Sequence, residues 1–217
     1  MRAEIKGQGE SVSIEYCGVA AHYDALIDEG NDPVYDGEKL ARYMDRWDGE
    51  VFIEKLCLGH AKSKDVFEIG VGTGRLAVRV APLCRSFTGI DISSKTAKRA
   101  DENLVNFAGV TDATIICCDF LDYESDRKFD VIYSSLTFMH IEDKAAAIAK
   151  ASDMLRPGGR FVLSASKSDE LFLKCNGRTL SLHPDNLAKL LSIFRSNGLS
   201  VSVSAAEEAN IITGEKR

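Results

Sequence analysis

From residue 65 onward, short β-branched and aromatic runs alternate with longer stretches whose apolar residues recur every three to four positions. That alternation predicts βαβ units laid into a parallel sheet. Strands are predicted over 65–69, 87–92, 113–118, 129–134 and 159–165, each apolar enough to be covered on both faces by helices. Helices are predicted over 74–83, 94–107, 144–155 and 185–196. Ser93 or Ser94 is placed to cap the second and Asp143 the third, Pro184 falls at the first position of the last, and Asn197-Gly198 closes it. The tail, 199–205 and 210–215, reads as two strands around the polar Ala206-Glu207-Glu208-Ala209, which predicts a terminal antiparallel hairpin. Upstream, apolar positions at three-to-four spacing in 37–47 and 49–58 predict two helices ahead of the first strand. The boundary is least defined at 14–36, where Gly30-Asn31-Asp32-Pro33 marks a turn. The expected fold is α/β: a doubly wound, seven-stranded, mostly parallel sheet with helices on both faces, a terminal antiparallel strand and an N-terminal helical cap. The expected division is a cap or lid over 1–60 and a nucleoside-binding domain over 61–217.

Composition narrows the class without changing the picture. A chain of 217 residues, 45% hydrophobic and 28% charged, buries a full core without staples. Its apolar runs stay well short of the roughly 20 residues that span a bilayer. Its first residues, Met1-Arg2-Ala3-Glu4-Ile5-Lys6, lack an apolar stretch behind them, so no secretory signal is expected and the expected location is cytoplasmic. The six cysteines show no CxxC spacing and no matched histidine pair, which predicts no metal site. A net charge of −6 argues against DNA as partner and favours a small molecule. Nothing in the pattern speaks to oligomeric state.

The chemistry concentrates where the first predicted strand runs into Glu68-Ile69-Gly70-Val71-Gly72-Thr73-Gly74. Strand, glycine loop and helix follow in the order a nucleoside-binding turn needs, and glycines let a ligand approach backbone amides that a Cβ would shield. The dinucleotide fingerprint GxGxxG carries its third glycine three positions after the second. Here it comes two after, and no Gly-Lys-Ser/Thr follows to make a phosphate-cradling loop.

Glu68-x-Gly70-x-Gly72-x-Gly74 resembles the first motif of the Rossmann-like, class I S-adenosylmethionine-dependent methyltransferases, and later segments resemble that family's motifs in order. The resemblance implies S-adenosylmethionine as cofactor, held by Glu68, Gly70, Gly72 and Gly74. It also implies that Asp91, with Ile92 beside it at the end of the second strand, takes the ribose hydroxyls. Asp119 and Phe120 are expected to meet the adenine, and Ser134 to end the fourth strand at the cofactor. Ser134-Ser135-Leu136-Thr137 lacks the signature of amino-group DNA methyltransferases, and the Pro-Cys nucleophile of cytosine enzymes is missing too, so the implied acceptor is a small molecule.

Ligands of open α/β sheets lie beyond the carboxyl ends of the strands, which puts Phe138, Met139 and His140 on the substrate side. His140 is the candidate general base, because imidazole accepts protons near neutral pH. Tyr23 and Tyr35, among the tyrosines of the N-terminal segment, are candidates to reach cofactor or substrate from a lid. Two other readings stay open: a catalytically silent cofactor-binding module and, on weaker grounds, an NAD-dependent oxidoreductase.

Overall fold

The computed structural model describes residues 2–3, 14–35, 39–59 and 61–217. Its main sheet contains β3 (Asp65–Ile69), β4 (Ser86–Asp91), β5 (Thr114–Cys117), β6 (Phe129–Ser134), β7 (Leu155–Ser166), β10 (Leu199–Ala205) and β11 (Ala209–Lys216). Their order is β5-β4-β3-β6-β7-β11-β10. The pairs β3–β4, β3–β6, β4–β5 and β6–β7 are parallel, while β11 runs antiparallel to both β7 and β10. The chain first builds outward from β3 through β4 to β5, then returns to lay β6 on the other side of β3. That reversal is the switch point where open sheets bind ligands.

Alternation along each strand divides the core between the two faces. Phe67, Ile132 and Phe161 point into one layer, covered by α6 (Lys144–Met154) and α7 (Leu187–Ser196). Val66, Val131, Tyr133 and Val162 point into the other, covered by α3 (Gly49–Leu56), α4 (Ala77–Val80) and α5 (Ser94–Ala108). Ser93 is the cap of α5, its hydroxyl accepting the Thr96 N–H, and Asp143 caps α6 in the same way through Ala146.

Four local expectations are corrected. The predicted helix 74–83 shrinks to α4 and a 3-10 turn over Ala81–Leu83, because Gly72 and Gly74 both sit at positive φ and hold the chain in turns through residue 76. Pro184 lies outside α7, whose cap is Asn186. The strand predicted at 159–165 already begins at Leu155, with pairing that slips from Phe129↔Leu155 to Val131↔Arg160. The first of the two upstream helices, predicted over 37–47, ends at Met44 as α2 (Lys39–Met44) and gives way to turns over 45–47; residues 37 and 38 lie outside the described residues.

Two elements escaped the pattern altogether. One is α1 (Val19–Asp28), and the other is a small second sheet ordered β1-β2-β9-β8, made of β1 (Arg2–Ala3), β2 (Ile14–Tyr16), β8 (Phe172–Cys175) and β9 (Arg178–Ser181). The β8–β9 hairpin turns on Asn176-Gly177, both at positive φ, the pair preferred in a two-residue turn that matches strand twist. Helix α1 packs on α5 and β9, and so lies over the carboxyl edge of the main sheet.

Candidate active site at the carboxyl edge of the sheet

The three loop glycines all have positive φ, 75° at Gly70, 57° at Gly72 and 90° at Gly74, but different surroundings. A Cβ on Gly70 would stand 2.0 Å from Thr137 Oγ1, so this glycine lets the segment after β6 lie flush on the loop. A Cβ on Gly74 would make ordinary contact with Ala100 of α5, and one on Gly72 would meet nothing within 4 Å. Gly72 is therefore the point where the loop backbone faces open space.

That point is wired to the end of β4. Asp91 accepts the Gly72 N–H through Oδ2 and the Ser93 N–H through Oδ1, each at 2.9 Å. Burial pushes the Asp91 carboxyl above its ordinary range against the pull of those amides. Next to it Ile92 leaves an apolar side chain 39% exposed, and the Cys118 N–H donates to the Asp91 carbonyl at 2.9 Å, drawing the ends of β4 and β5 together. Beyond β5, Asp119 accepts the Leu121 N–H at 2.8 Å through Oδ1. The Phe120 ring turns away into the core beside Phe67 with Lys150 above it; only its backbone is left at the site.

Glu68 and Ser134 are buried. Tyr133 donates its hydroxyl to Glu68 Oε2 at 2.7 Å, and burial drives the Glu68 carboxyl well above its ordinary range. Ser134 donates to the Ile69 carbonyl at 2.9 Å. Nearby, Arg75 pairs with both Asp45 and Asp48, and Asp48 also accepts the Ser135 hydroxyl at 2.5 Å. The cluster ties the glycine loop, α3 and the segment after β6 into one unit. Asp48 and Arg75 carry no sequence signal beyond their charge.

On the acceptor side, Phe138 is corrected to a core ring, fully buried and 5.9 Å from Phe161. Met139 is half-buried, its carbonyl accepting the His183 N–H at 2.7 Å. Leu136, between them and β6, takes a φ of 55°, a conformation uncommon for a leucine. His140 Nε2 and the Tyr23 hydroxyl lie 2.8 Å apart. Burial, with the charges of His22, Lys144 and His183, holds the His140 imidazole down to about 4, while burial raises the Tyr23 phenol. The phenol thus keeps its hydrogen and the imidazole is neutral, so one of the two donates to the other across this contact.

Helix α1 supplies more than Tyr23. Asp24 accepts the Ser93 hydroxyl at 2.6 Å and the Lys95 N–H at 3.0 Å, at the amino end of α5. Asp28 pairs with Lys95 and Glu29 with Arg178. Tyr35 is corrected in the other direction: it is 64% exposed and packs on Phe107, about 20 Å along α5 from the end that faces Asp91 at 1.5 Å per residue. The Tyr16 side chain falls outside what the structure describes. Among the described residues, no group of three or more His, Cys, Asp or Glu side chains is arranged to hold a metal ion, and no helix is long and apolar enough to cross a membrane.

Residues 67–163 match the family model of a methyltransferase domain. An uncharacterized methyltransferase of Bacillus thuringiensis (strain Al Hakam) is 33% identical over 144 residues, covering 65% of this chain and 61% of that one. The chain thus spans about 61% of the length of the curated relatives it matches. Among solved structures, the DhpI–SAH complex is similar at a TM-score of 0.69 and 22% identity, covering 91% of this chain and 94% of DhpI. The [4+2]-cyclase SpnF is similar at 0.71 and 17% identity, over 94% and 98%. At such identities the likeness is one of fold.

Proposed function

We propose, on the premise that this chain belongs to the Rossmann-like methyltransferase family, that it moves a methyl group from S-adenosylmethionine to a small-molecule acceptor. The observation that carries the reading is the open side of Gly72 beside the Asp91 carboxylate, with the exposed Ile92 next to it. A carboxylate has about four lone-pair positions. Asp91 uses two on backbone amides, which leaves acceptor capacity for the two ribose hydroxyls. Ile92 offers an apolar face to the adenine, and Asp119 with the Phe120 backbone meets its edge. Glu68 and Ser134 act on the cofactor through the loop they brace. The pyrophosphate of NAD has no matching helix end, since α4 is a single turn.

When bound, S-adenosylmethionine supplies an electrophilic methyl on a sulfonium. The chain's part is to align the acceptor with it, exclude water and take up a proton where the acceptor has one to lose. Tyr23 and His140 line the approach from α1 and from the segment after β6. His140 is unprotonated at neutral pH, as a base must be, but a group held near 4 is a weak one. Transfer therefore rests on alignment more than on proton removal.

The fold alone does not fix the chemistry, and SpnF is named as a cyclase, so a cofactor-binding module without methyl transfer is the competing reading. The test is release of S-adenosylhomocysteine from S-adenosylmethionine across a panel of small acceptors. Turnover that scales with acceptor concentration supports transfer; tight cofactor binding with no turnover on a broad panel favours the silent module.

A further inference from the structure

Behind the glycine loop, on α5, stands a fully buried amide, Asn103. Its Nδ2 donates to the Thr73 carbonyl at 2.8 Å and to Asp32 Oδ2 at 3.1 Å, so both amide hydrogens are committed. Both partners are acceptors, the Asp32 carboxylate being paired with Arg99 at 3.3 Å, and that settles which way round the amide stands. Asn103 Oδ1, also buried, has no hydrogen-bond partner among the described residues. The side chain is therefore placed for its two donors, one toward the turn after α1 and one toward the loop.

Thr73 lies between two glycines at positive φ, Gly72 and Gly74. Glycines give the chain freedom that folding must remove again, so the shape of this loop depends on what holds its peptide groups. Three contacts supply that hold. The Gly72 N–H is fixed by Asp91 at 2.9 Å, the Gly74 N–H by the Val71 carbonyl at 3.0 Å, and the Thr73 carbonyl by Asn103. The last two are opposite ends of one peptide unit. Without Asn103 the Thr73 carbonyl becomes an unpaired acceptor near the Asp32 carboxylate in a buried place, and that is costly. Turning the peptide over relieves it, and Gly74 has the freedom to allow the turn. Such a turn takes the Gly74 N–H off Val71 and deforms the ribbon that Asp91 grips at Gly72.

We propose that Asn103 is a positioning residue for S-adenosylmethionine: acting through the Thr73 carbonyl, it holds the glycine loop in the form that receives the nucleoside. The assignment rests on the methyltransferase reading of the same site. The test is calorimetry of the full chain with S-adenosylhomocysteine on two variants. Asn103→Leu keeps the bulk and removes the donors; Asn103→Ser is too short to bridge the two acceptors and stands in if the first does not fold. Ser152→Ala is the control for lost stability alone, since it removes a buried hydroxyl's bond to the Asn197 carbonyl, 3.0 Å long, between α6 and the end of α7. The Asn103 variants should bind at least tenfold more weakly than the parent, and Ser152→Ala within about twofold of it. In NMR spectra of the unliganded protein, the Gly72 and Gly74 amide signals should shift or double in the Asn103 variants and stay in place in Ser152→Ala. A loss smaller than tenfold overturns the inference, as do unmoved glycine signals, or an equal loss in Ser152→Ala, which would trace the effect to stability. S-adenosylhomocysteine failing to bind the parent chain would sink the reading of the cofactor site and this inference with it.

Discussion

Gly70 and Gly72 look alike in the sequence and separate at the scale of single residues. An alanine at Gly70 drives its Cβ into Thr137, whereas one at Gly72 meets only the left-handed backbone, at roughly 1–2 kcal/mol. Gly70→Ala should therefore lower the melting temperature much more than Gly72→Ala. Gly72→Ala should lose its effect mainly in cofactor affinity, and calorimetry beside thermal melts separates the two. A larger loss of stability at Gly72 would contradict the assignment of the open side. Asp91→Ala removes hydrogen bonds worth about 1.5–3 kcal/mol each to a charged group, and cofactor affinity should fall at least tenfold. Tyr23→Phe removes one hydroxyl, leaves His140 Nε2 unpaired and should cost about 1 kcal/mol while lowering turnover; unchanged turnover would take Tyr23 out of the acceptor side. The turn from the first strand through the glycine loop, and the place of Asp91 at the end of the next strand, were legible from spacing and order. The outward or inward turn of the Phe120, Phe138 and Tyr35 rings was not, because a strand-end or loop position does not say whether a ring turns to the cleft, the core or solvent.

At the scale of elements, the strands of the main sheet were plain, since fully buried parallel strands read as continuous apolar runs. The short α4 was not, because glycines at positive φ end a helix that the apolar spacing alone would extend. The hairpin β8–β9, which turns on Asn176-Gly177, lies in a stretch too polar to stand out as strands. Helix α1 stayed hidden because the consecutive polar residues His22, Tyr23 and Asp24, of which Tyr23 and Asp24 make side-chain contacts to the rest of the chain, interrupt the apolar spacing. Removing the latch should therefore loosen α1 without unfolding the sheet. In Asp24→Ala, amide exchange should quicken across α1 and stay unchanged in β3 and β6; equal loss in both would mean that α1 belongs to the cooperative core.

For the whole molecule, the buried histidines give stability a pH signature. Free imidazole titrates near 6.5, and His140 is held down to about 4 by burial and by the charges around it. Tyr23 and His22 face it from α1, Lys144 from α6 and His183 from the segment before α7. A depressed histidine binds fewer protons folded than unfolded between these values. Its contribution is complete above 6.5 and is lost as pH falls toward 4, on the order of 3 kcal/mol. The stability of the parent should fall over that window more steeply than that of His140→Gln, as denaturant melts at several pH values would report; parallel curves would refute the shifted histidine. The central claim, that the glycine loop and Asp91 form a site for S-adenosylmethionine and not for a dinucleotide, is tested most directly by calorimetry on the parent chain and Asp91→Ala. Saturable one-to-one binding of S-adenosylhomocysteine to the parent, at least tenfold weaker in the variant, with no heat from NAD, is the predicted result. Tight NAD binding in the absence of S-adenosylhomocysteine binding would contradict it.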